Sequence, residues 1–381
     1  MEPSQTRDIL WMESFAFNNI ERNLTVMMNG NAKLYRIGAA ILALAILLTA
    51  LAGCTSEQEE QEQRVVGTSA GYDVLYEELR LVTLGVKSEM RSEYGEDIWS
   101  TAETAETYRA ELETRVLEQL EEKYLVLAAC DALDISTDTA RSKSYVEEQI
   151  NELIEEECGG KKEKYESYLR ENNWTDNLMR FYLHVSYMES VLYYTLLDTG
   201  YFDYRGYNSD TGANDTPDFI EHIMTSPDYA HTIHVYLKSD GDQTADEVKK
   251  EAESVTRALR AVGGYEQRLT IMKGYVGSSL NKDTGDMGNG YYFTRGEMDE
   301  TYEEKTFELE VGEVSDPFPF GEGYMVIMRV EPDMAYVTSN ASTLLINYHG
   351  AQMGLLEANY AERCHVTLNE YGLSLDLTAI E

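Results

Sequence analysis

Apolar residues recur at helical spacing through the first half of the chain. Val74, Leu75, Leu79 and Val82 fall on one face, and Val116, Leu120, Tyr124 and Leu127 repeat the spacing. Val146, Ile150, Leu153 and Ile154 form a third stripe, and residues 165–169 start a shorter fourth. Residues 172–175 break the pattern before a long run over 177–197. The stripes predict a helical bundle from about Tyr72 to Asp198 and say nothing about chemistry. Residues 200–217 change texture to Gly, Asn, Asp and Tyr without a period, which predicts a linker or an elaborated loop. From Glu221 the pattern is mixed. Residues 231–238 (HTIHVYLK) read as a strand, 244–262 as an amphipathic helix, a region near Glu300 as a short helix and 324–330 as an apolar strand. After Pro332 a helical stretch, 341–363, leads to a polar–apolar alternation over 365–377. No internal repeat is present.

Composition narrows the classes. A chain of 381 residues exceeds one compact core and predicts two domains. Apolar residues make up 43%, enough for real cores, while 26% charged residues and a mean hydropathy of -0.42 exclude a multispanning membrane protein. The formal net charge of -38 repels phosphate backbones, so nucleic acid is excluded as a partner. Its plain reading is a solvated surface that resists aggregation.

The N-terminus adds a destination. Lys33 and Arg36 precede an unbroken small and apolar run, 37–53, that ends Leu51-Ala52-Gly53-Cys54. The run is shorter than the ~20 residues a spanning helix needs. A basic segment, an apolar segment and small residues at the cut describe a signal peptide. The Leu-Ala-Gly-Cys end resembles the bacterial lipobox, which implies lipidation of Cys54, removal of 1–53 and an extracytoplasmic, membrane-anchored chain. Glu2, Asp8, Glu13 and Glu21 do not suit a basic leader, which makes Met27 or Met28 a plausible start. Residues 54–66, polar and acidic, read as a flexible spacer.

Cys130, Cys158 and Cys364 then remain, an odd number without CxxC spacing. Cys130 lies in an apolar helical run and reads as a small core residue. A Cys158–Cys364 bridge is compatible with an exported protein, although no spacing demands it. No metal site and no cofactor is signalled.

Five segments carry a family resemblance. IHVYLK at 233–238, GDMG at 285–288, FTRGEM at 293–298, TFELEVGEVSDP at 306–317 and GYMVIMRVE at 323–331 follow, in order, the motifs of parvulin peptidyl-prolyl isomerases. The flanking helical segments resemble the SurA and PrsA chaperone-foldases, in which a helical domain is built from an N-terminal part and a C-terminal segment with the parvulin module between them. The resemblance implies an α+β fold: a SurA-like helical domain over 67–200, a linker over 201–220, a parvulin-like module inserted at 221–332, and a segment, 333–381, that packs back on the helical domain.

Residue by residue, Met287, Phe293, Met298 and Tyr302 match the family's apolar proline pocket, with Tyr in place of a usual Phe. His234 matches the first histidine of its polar cluster. Counting back from GDMG puts the Cys/Asp position at Ser278; the second histidine falls on Met325 and a nearby Thr position on Phe320. The expectation is therefore a proline pocket whose polar half is largely gone, with His234 and Ser278 as its remaining catalytic candidates. His231 and His234, three apart on a strand, point to opposite faces and cannot share a metal. Three functions compete: a membrane-anchored chaperone or foldase for unfolded exported proteins with weak or lost isomerase activity, a working prolyl isomerase, and a surface lipoprotein that binds a small ligand or glycan through some of its 28 tyrosines.

Overall fold

The computed structural model describes residues 61–208, 211–239, 243–283, 285 and 289–380, so Cys54 and Met287 lie outside the described residues. Contacts divide the described chain into two units, 61–198 with 356–380, and 199–355. The architecture is α+β, as the motifs implied.

In the first unit the helical stripes bury as their spacing predicts. Helices α1 (Tyr76–Tyr94), α2 (Ala102–Ala132), α3 (Ala140–Glu156), α4 (Lys162–Glu171) and α5 (Asp176–Thr199) follow one another. On α2 the line Val116, Leu120, Tyr124 and Leu127 is fully buried. Thr101 caps its N-terminus by accepting the Thr104 N–H, and Thr139 does the same for Ser142 at α3. The break at 172–175 is a helix stop, with Asn173 in the left-handed region at φ 61°. Cys130, Cys158 and Cys364 are all buried and free, so Cys158 and Cys364 do not pair.

The stripes hid a small sheet. Strands β1 (Val65–Ser69) and β2 (Tyr72–Leu75) form a hairpin whose turn, Ala70 and Gly71, takes positive φ at both residues. Val74 and Leu75 therefore belong to a strand and not to the first helix. A late strand, β7 (Thr367–Leu368), pairs with the other edge of β1, giving the order β2-β1-β7. The predicted alternation over 365–377 is otherwise a short helix, Glu370–Leu373, and a 3₁₀ turn, Leu377–Ala379. Gly67 is required where β1 meets β7, because a Cβ there would strike the Thr367 carbonyl.

The second unit is built on four antiparallel strands in the order β4-β3-β6-β5: β3 (Tyr229–Lys238), β4 (Tyr291–Thr294), β5 (Phe318–Phe320) and β6 (Gly323–Arg329). Period-two alternation sorts β3 into two faces. Ile233, Val235 and Leu237, with Val326 and Met328 of β6, bury against α7 (Ala245–Ala261) and α8 (Tyr265–Val276). Helix α7 opens on a Thr244/Glu247 capping box. No stripe announced α8, whose buried residues are only Met272 and Val276. The opposite face of β3 carries the candidate site.

Two boundaries differ from expectation. Residues 201–220 are not all linker, because α6 (Thr216–Thr225) starts there with Pro217 in its first turn. The segment 333–381 does not pack as one piece on the helical domain. The first part of α10 (Met334–Ala358) buries Val337, Leu344, Leu345 and Tyr348 against Phe219, Ile223, Tyr229 and Tyr292 of the second unit. Only residues 356–380 belong to the first unit. The reason is aromatic: Phe219, Tyr229 and Tyr348 need an apolar partner surface, and α10 supplies it.

Candidate active site

The site forms where β3, the loop after α8, β4 and α9 (Glu300–Phe307) converge. Thr232, His234 and Tyr236 alternate onto one face of β3. Met325 and Ile327 of β6 share it, since Tyr236 pairs with Met325 and His234 with Ile327. Phe293, Tyr302, Phe318, Met325 and Ile327 pack there as one apolar cluster, with Met298 and Phe320 half-buried at its edge.

The FTRGEM string owes its shape to two carboxylates. Glu297 accepts the Thr294 N–H at 3.0 Å, and one oxygen of Glu303 accepts the N–H groups of Gly296 and Met298 at 2.7 and 2.8 Å. Gly296 sits at φ +90°, a conformation that side chains disfavour. Asp299 then caps α9 through the N–H groups of Thr301 and Tyr302. This turn places Met298 and Tyr302 one helical turn apart on the same side.

His234 is hydrogen-bonded at both ring nitrogens. Nε2 lies 3.0 Å from the Asp283 carboxylate and Nδ1 lies 2.9 Å from the Tyr302 hydroxyl, which in turn is 2.8 Å from the Thr232 hydroxyl. Asp283 also accepts the Tyr291 hydroxyl at 2.6 Å, and the Tyr291 ring stacks on His234 at 4.9 Å. With the imidazole neutral, the directions are fixed. Nε2–H donates to Asp283, Tyr302 O–H donates to Nδ1, and Thr232 O–H donates to Tyr302. Burial opposes the charge on Asp283, yet hydrogen bonds from His234, Tyr291 and the Gly285 N–H outweigh it and hold the carboxyl well below its usual range. Burial pushes the Tyr302 hydroxyl up, so it stays a donor.

The polar half of the site is thus populated, contrary to the expectation of loss. Ser278 is not part of it. Its hydroxyl donates to the Tyr275 carbonyl at 2.7 Å and ends α8. A fixed count back from GDMG reached Ser278 because it assumed a longer loop; Asp283, only two residues before Gly285, takes the place beside His234. Asn281 was missed as well. It accepts the N–H groups of Tyr236 and Asp283 and donates to the Val276 carbonyl, so it ties the loop to β3. An acidic residue beside a turn-forming Asn and ahead of Gly is the signal that could have found the pair.

Phe293, Met298, Tyr302, Phe320 and Met325 come together with His234 in this region. Met325 is buried (3% exposed) at the edge of the hydrogen-bonded group. The tyrosine pair divides between the two sheet faces: Tyr291 serves His234, and Tyr292 stacks at 3.9 Å on His231. His231 faces the backbone carbonyls of Glu331 and Asn289 at 2.7 Å each, a structural role. Among the described residues, no group of acidic, His and Cys side chains could hold a metal ion, and no helix is long and apolar enough to cross a membrane.

Residues 222–331 match the family described as Rotamase: PPIC-type PPIASE domain, the parvulin type that the motifs resembled. The foldase protein PrsA of Bacillus subtilis is 36% identical over 83 residues, 22% of this chain and 27% of that protein. The peptidyl-prolyl cis-trans isomerase ESS1 of Saccharomyces cerevisiae is 49% identical over 52 residues, 14% of this chain and 29% of that protein. The chain spans less than half the length of these curated relatives. Among solved structures, PrsA from Bacillus anthracis aligns with a TM-score of 0.31 at 12% identity, covering 65% of this chain and 96% of that one. PrsA from Bacillus subtilis aligns with a TM-score of 0.24 at 17% identity, covering 84% and 98%.

Proposed function

We propose that the second unit is a working peptidyl-prolyl cis–trans isomerase within an exported foldase. The carrying observation is His234, held at both nitrogens between Asp283 and Tyr302 beside the apolar cluster. Rotation about an X–Pro bond must overcome ~20 kcal/mol of amide resonance, and no bond has to be made or broken by the protein. Met298 and Phe320, at the exposed edge of the cluster, would receive the prolyl ring and strip water from the amide. The amide resonance form places negative charge on the carbonyl oxygen. A fixed Asp283 carboxylate near that oxygen disfavours the planar state, and so favours the twisted one.

His234 and Tyr302 act on this charge by position. They fix the carboxylate and cannot re-orient during the turn without breaking a buried hydrogen bond. The reading favours retained activity over the weak or lost activity that motif counting implied. Unfolded exported polypeptides are the proposed clients, and attachment through a lipidated Cys54 the proposed location. The relative named foldase protein PrsA, the signal-like run and the lipobox-like end support both.

A coupled isomerisation assay on X-Pro peptides tests the reading. Full-length protein should accelerate the exchange, and Asp283→Ala and Met298→Ala should each reduce it. Background rates for the unaltered protein would leave a holding role without catalysis. Intact-mass analysis of the membrane fraction tests the anchor, with a chain starting at a lipidated Cys54 as the expected product.

A further inference from the structure

The turn that presents Met298 is held by carboxylates, and no cation answers them. One oxygen of Glu303, a residue 8% exposed, accepts the N–H groups of both Gly296 and Met298. Glu297, half-buried in the same turn, accepts the Thr294 N–H. Alternate N–H groups from Thr294 to Met298 therefore end on these two side chains. Gly296, between them, packs against Ala351 and Leu355 of α10, which offer no polar group to the pair.

The charged groups around the turn are engaged elsewhere. Arg295 lies over the Phe307 ring at 4.2 Å, and Arg329 of β6 donates to the carbonyls of Leu309 and Pro227. On α9, Lys305 pairs with Glu308 at 3.0 Å, and Asp299 is spent on the helix cap. Asp228, ahead of β3, acts on Arg329. From β3 the neighbouring titratable group is the Tyr229 hydroxyl, buried and without a hydrogen-bond partner, with Tyr348 of α10 beyond it. Among the described residues neither Glu297 nor Glu303 forms an ion pair. Two adjacent carboxylates without a cation do not both ionise easily. Burial, with the Glu303 charge adding to it, pushes the Glu297 carboxyl up to about 8 in spite of the Thr294 N–H. The turn thus carries one negative charge at neutral pH, on the side chain that orients Met298.

On the isomerase reading given above, we propose that Glu303 is a positioning residue for Met298, and that it holds the proline-receiving turn only while Glu297 keeps its proton. Ionised Glu297 puts a second charge beside Glu303. The two side chains then separate, and the Gly296 and Met298 N–H groups lose their shared acceptor. Grip on the prolyl ring falls as pH rises through about 8, whereas Asp283 is charged throughout that range. Binding of the ring and the electrostatic part of the site therefore respond to pH separately.

The probe is an unstructured peptide with one Ala-Pro bond, titrated into the full chain at pH 7 and pH 9. Binding is followed at the Met298 methyl carbon, assigned with Met298→Leu, and kcat and KM are measured on the same peptide. The dissociation constant and KM should rise at least about 3-fold from pH 7 to pH 9 with kcat little changed. In the free protein the Met298 signal should move with a midpoint near 8. Glu297→Gln should abolish both responses. Glu303→Gln keeps an accepting oxygen and should bind at pH 7 as the unaltered protein does, while Glu303→Ala should weaken binding at least ~10-fold at both pH values. Should Glu303→Ala fail to fold, the Glu297→Gln comparison decides. A Met298 signal that stays fixed from pH 7 to pH 9, or moves equally in Glu297→Gln, overturns the proposal, as does equal binding by Glu303→Gln and Glu303→Ala. An inactive protein whose Met298 signal still moves with that midpoint sinks the isomerase reading alone.

Discussion

Each unit withdraws a carboxylate from bulk water, Asp283 in part and Glu78 almost wholly, and the two are treated in opposite ways. In the second unit Asp283 collects donors from His234, Tyr291 and the Gly285 backbone, and its carboxyl is held low. In the first unit Glu78 receives one hydroxyl, keeps a bare oxygen and is pushed up to about 7. Sequence position does not explain the contrast. Glu78 sits in the first turn of α1, where the helix dipole favours negative charge, whereas Asp283 lies in a loop. What separates them is the number of hydrogen-bond donors aimed at each. Desolvation penalises both, and only directed donors reverse it. A satisfied carboxylate stays charged and fixed in place; an unsatisfied one is a cost the fold carries, and it holds its proton to higher pH.

The contrast can be broken most strongly by removing the C-terminal segment. A chain that stops after Asn359 loses β7 and the carbonyls of Thr378 and Ile380, which accept from the buried Lys87 ammonium at 2.9 and 2.8 Å. The first unit should lose at least ~3 kcal/mol, because a buried cation is left without those acceptors. Trp99 and Trp174 both lie in that unit, so tryptophan fluorescence during melting reads it, while the isomerase rate should stay near that of the full chain.

Next in size is the pH response of Glu78. Its folded value is raised above the ordinary 4.5, so its stabilising contribution is complete below about pH 4.5 and is lost as pH rises through about 7. At ~1.4 kcal/mol per unit the loss is roughly 3 kcal/mol. Glu78→Gln should therefore raise the tryptophan-detected melting temperature at pH 8 and change it little at pH 4. A shift of equal size at both pH values would contradict the assignment.

Asp283 gives the opposite sign. Its folded carboxyl lies below the unfolded one, so its contribution is present above about pH 4 and is lost as pH falls through the folded value. Asp283→Ala should lower kcat/KM on X-Pro peptides on the order of 10²-fold, the scale for loss of one preorganised electrostatic group. The tryptophan-detected melting of the first unit should not move.

The smallest effect sharpens the role of Tyr302. Tyr302→Phe keeps the ring in its cluster and removes the hydroxyl between His234 and Thr232. A cost of about 1–3 kcal/mol to the second unit is expected, from two buried groups left unpaired. Nitrogen NMR should show the Nδ1 signal of His234 shift as it loses the Tyr302 hydroxyl while Nε2–H stays on Asp283, which a purely packing role for Tyr302 would not produce.

Much of the fold is legible in the sequence. The buried lines on α2 and α3 are i, i+4 stripes, and such stripes can bury only as helices. The β3 string resolved even its two faces, and His231 and His234 serve separate clusters as period-two alternation requires. Short elements were not legible. The hairpin β1–β2 has only a few residues per strand, too few to show a period, and Val74 and Leu75 fitted the following helix as well as the strand they occupy.

For the site, the sequence alone determined which apolar residues gather, because Phe293, Met298 and Tyr302 are tied by local turn and helix geometry within a few positions of one another. It determined the strand that presents His234. Only the tertiary structure decided what His234 touches. Asp283, Tyr291 and Tyr302 reach it from three different elements, and the lengths of the connecting loops, not motif spacing, set which carboxylate arrives. The same holds for the bare oxygen of Glu78. Nothing in Tyr-Glu-Glu-Leu marks one glutamate as satisfied and the next as wanting, since Thr175 and Asn177 come from about a hundred residues away. Local pattern fixes periodicity and faces; long-range packing fixes the number of donors around each charge, and the chemistry follows that number.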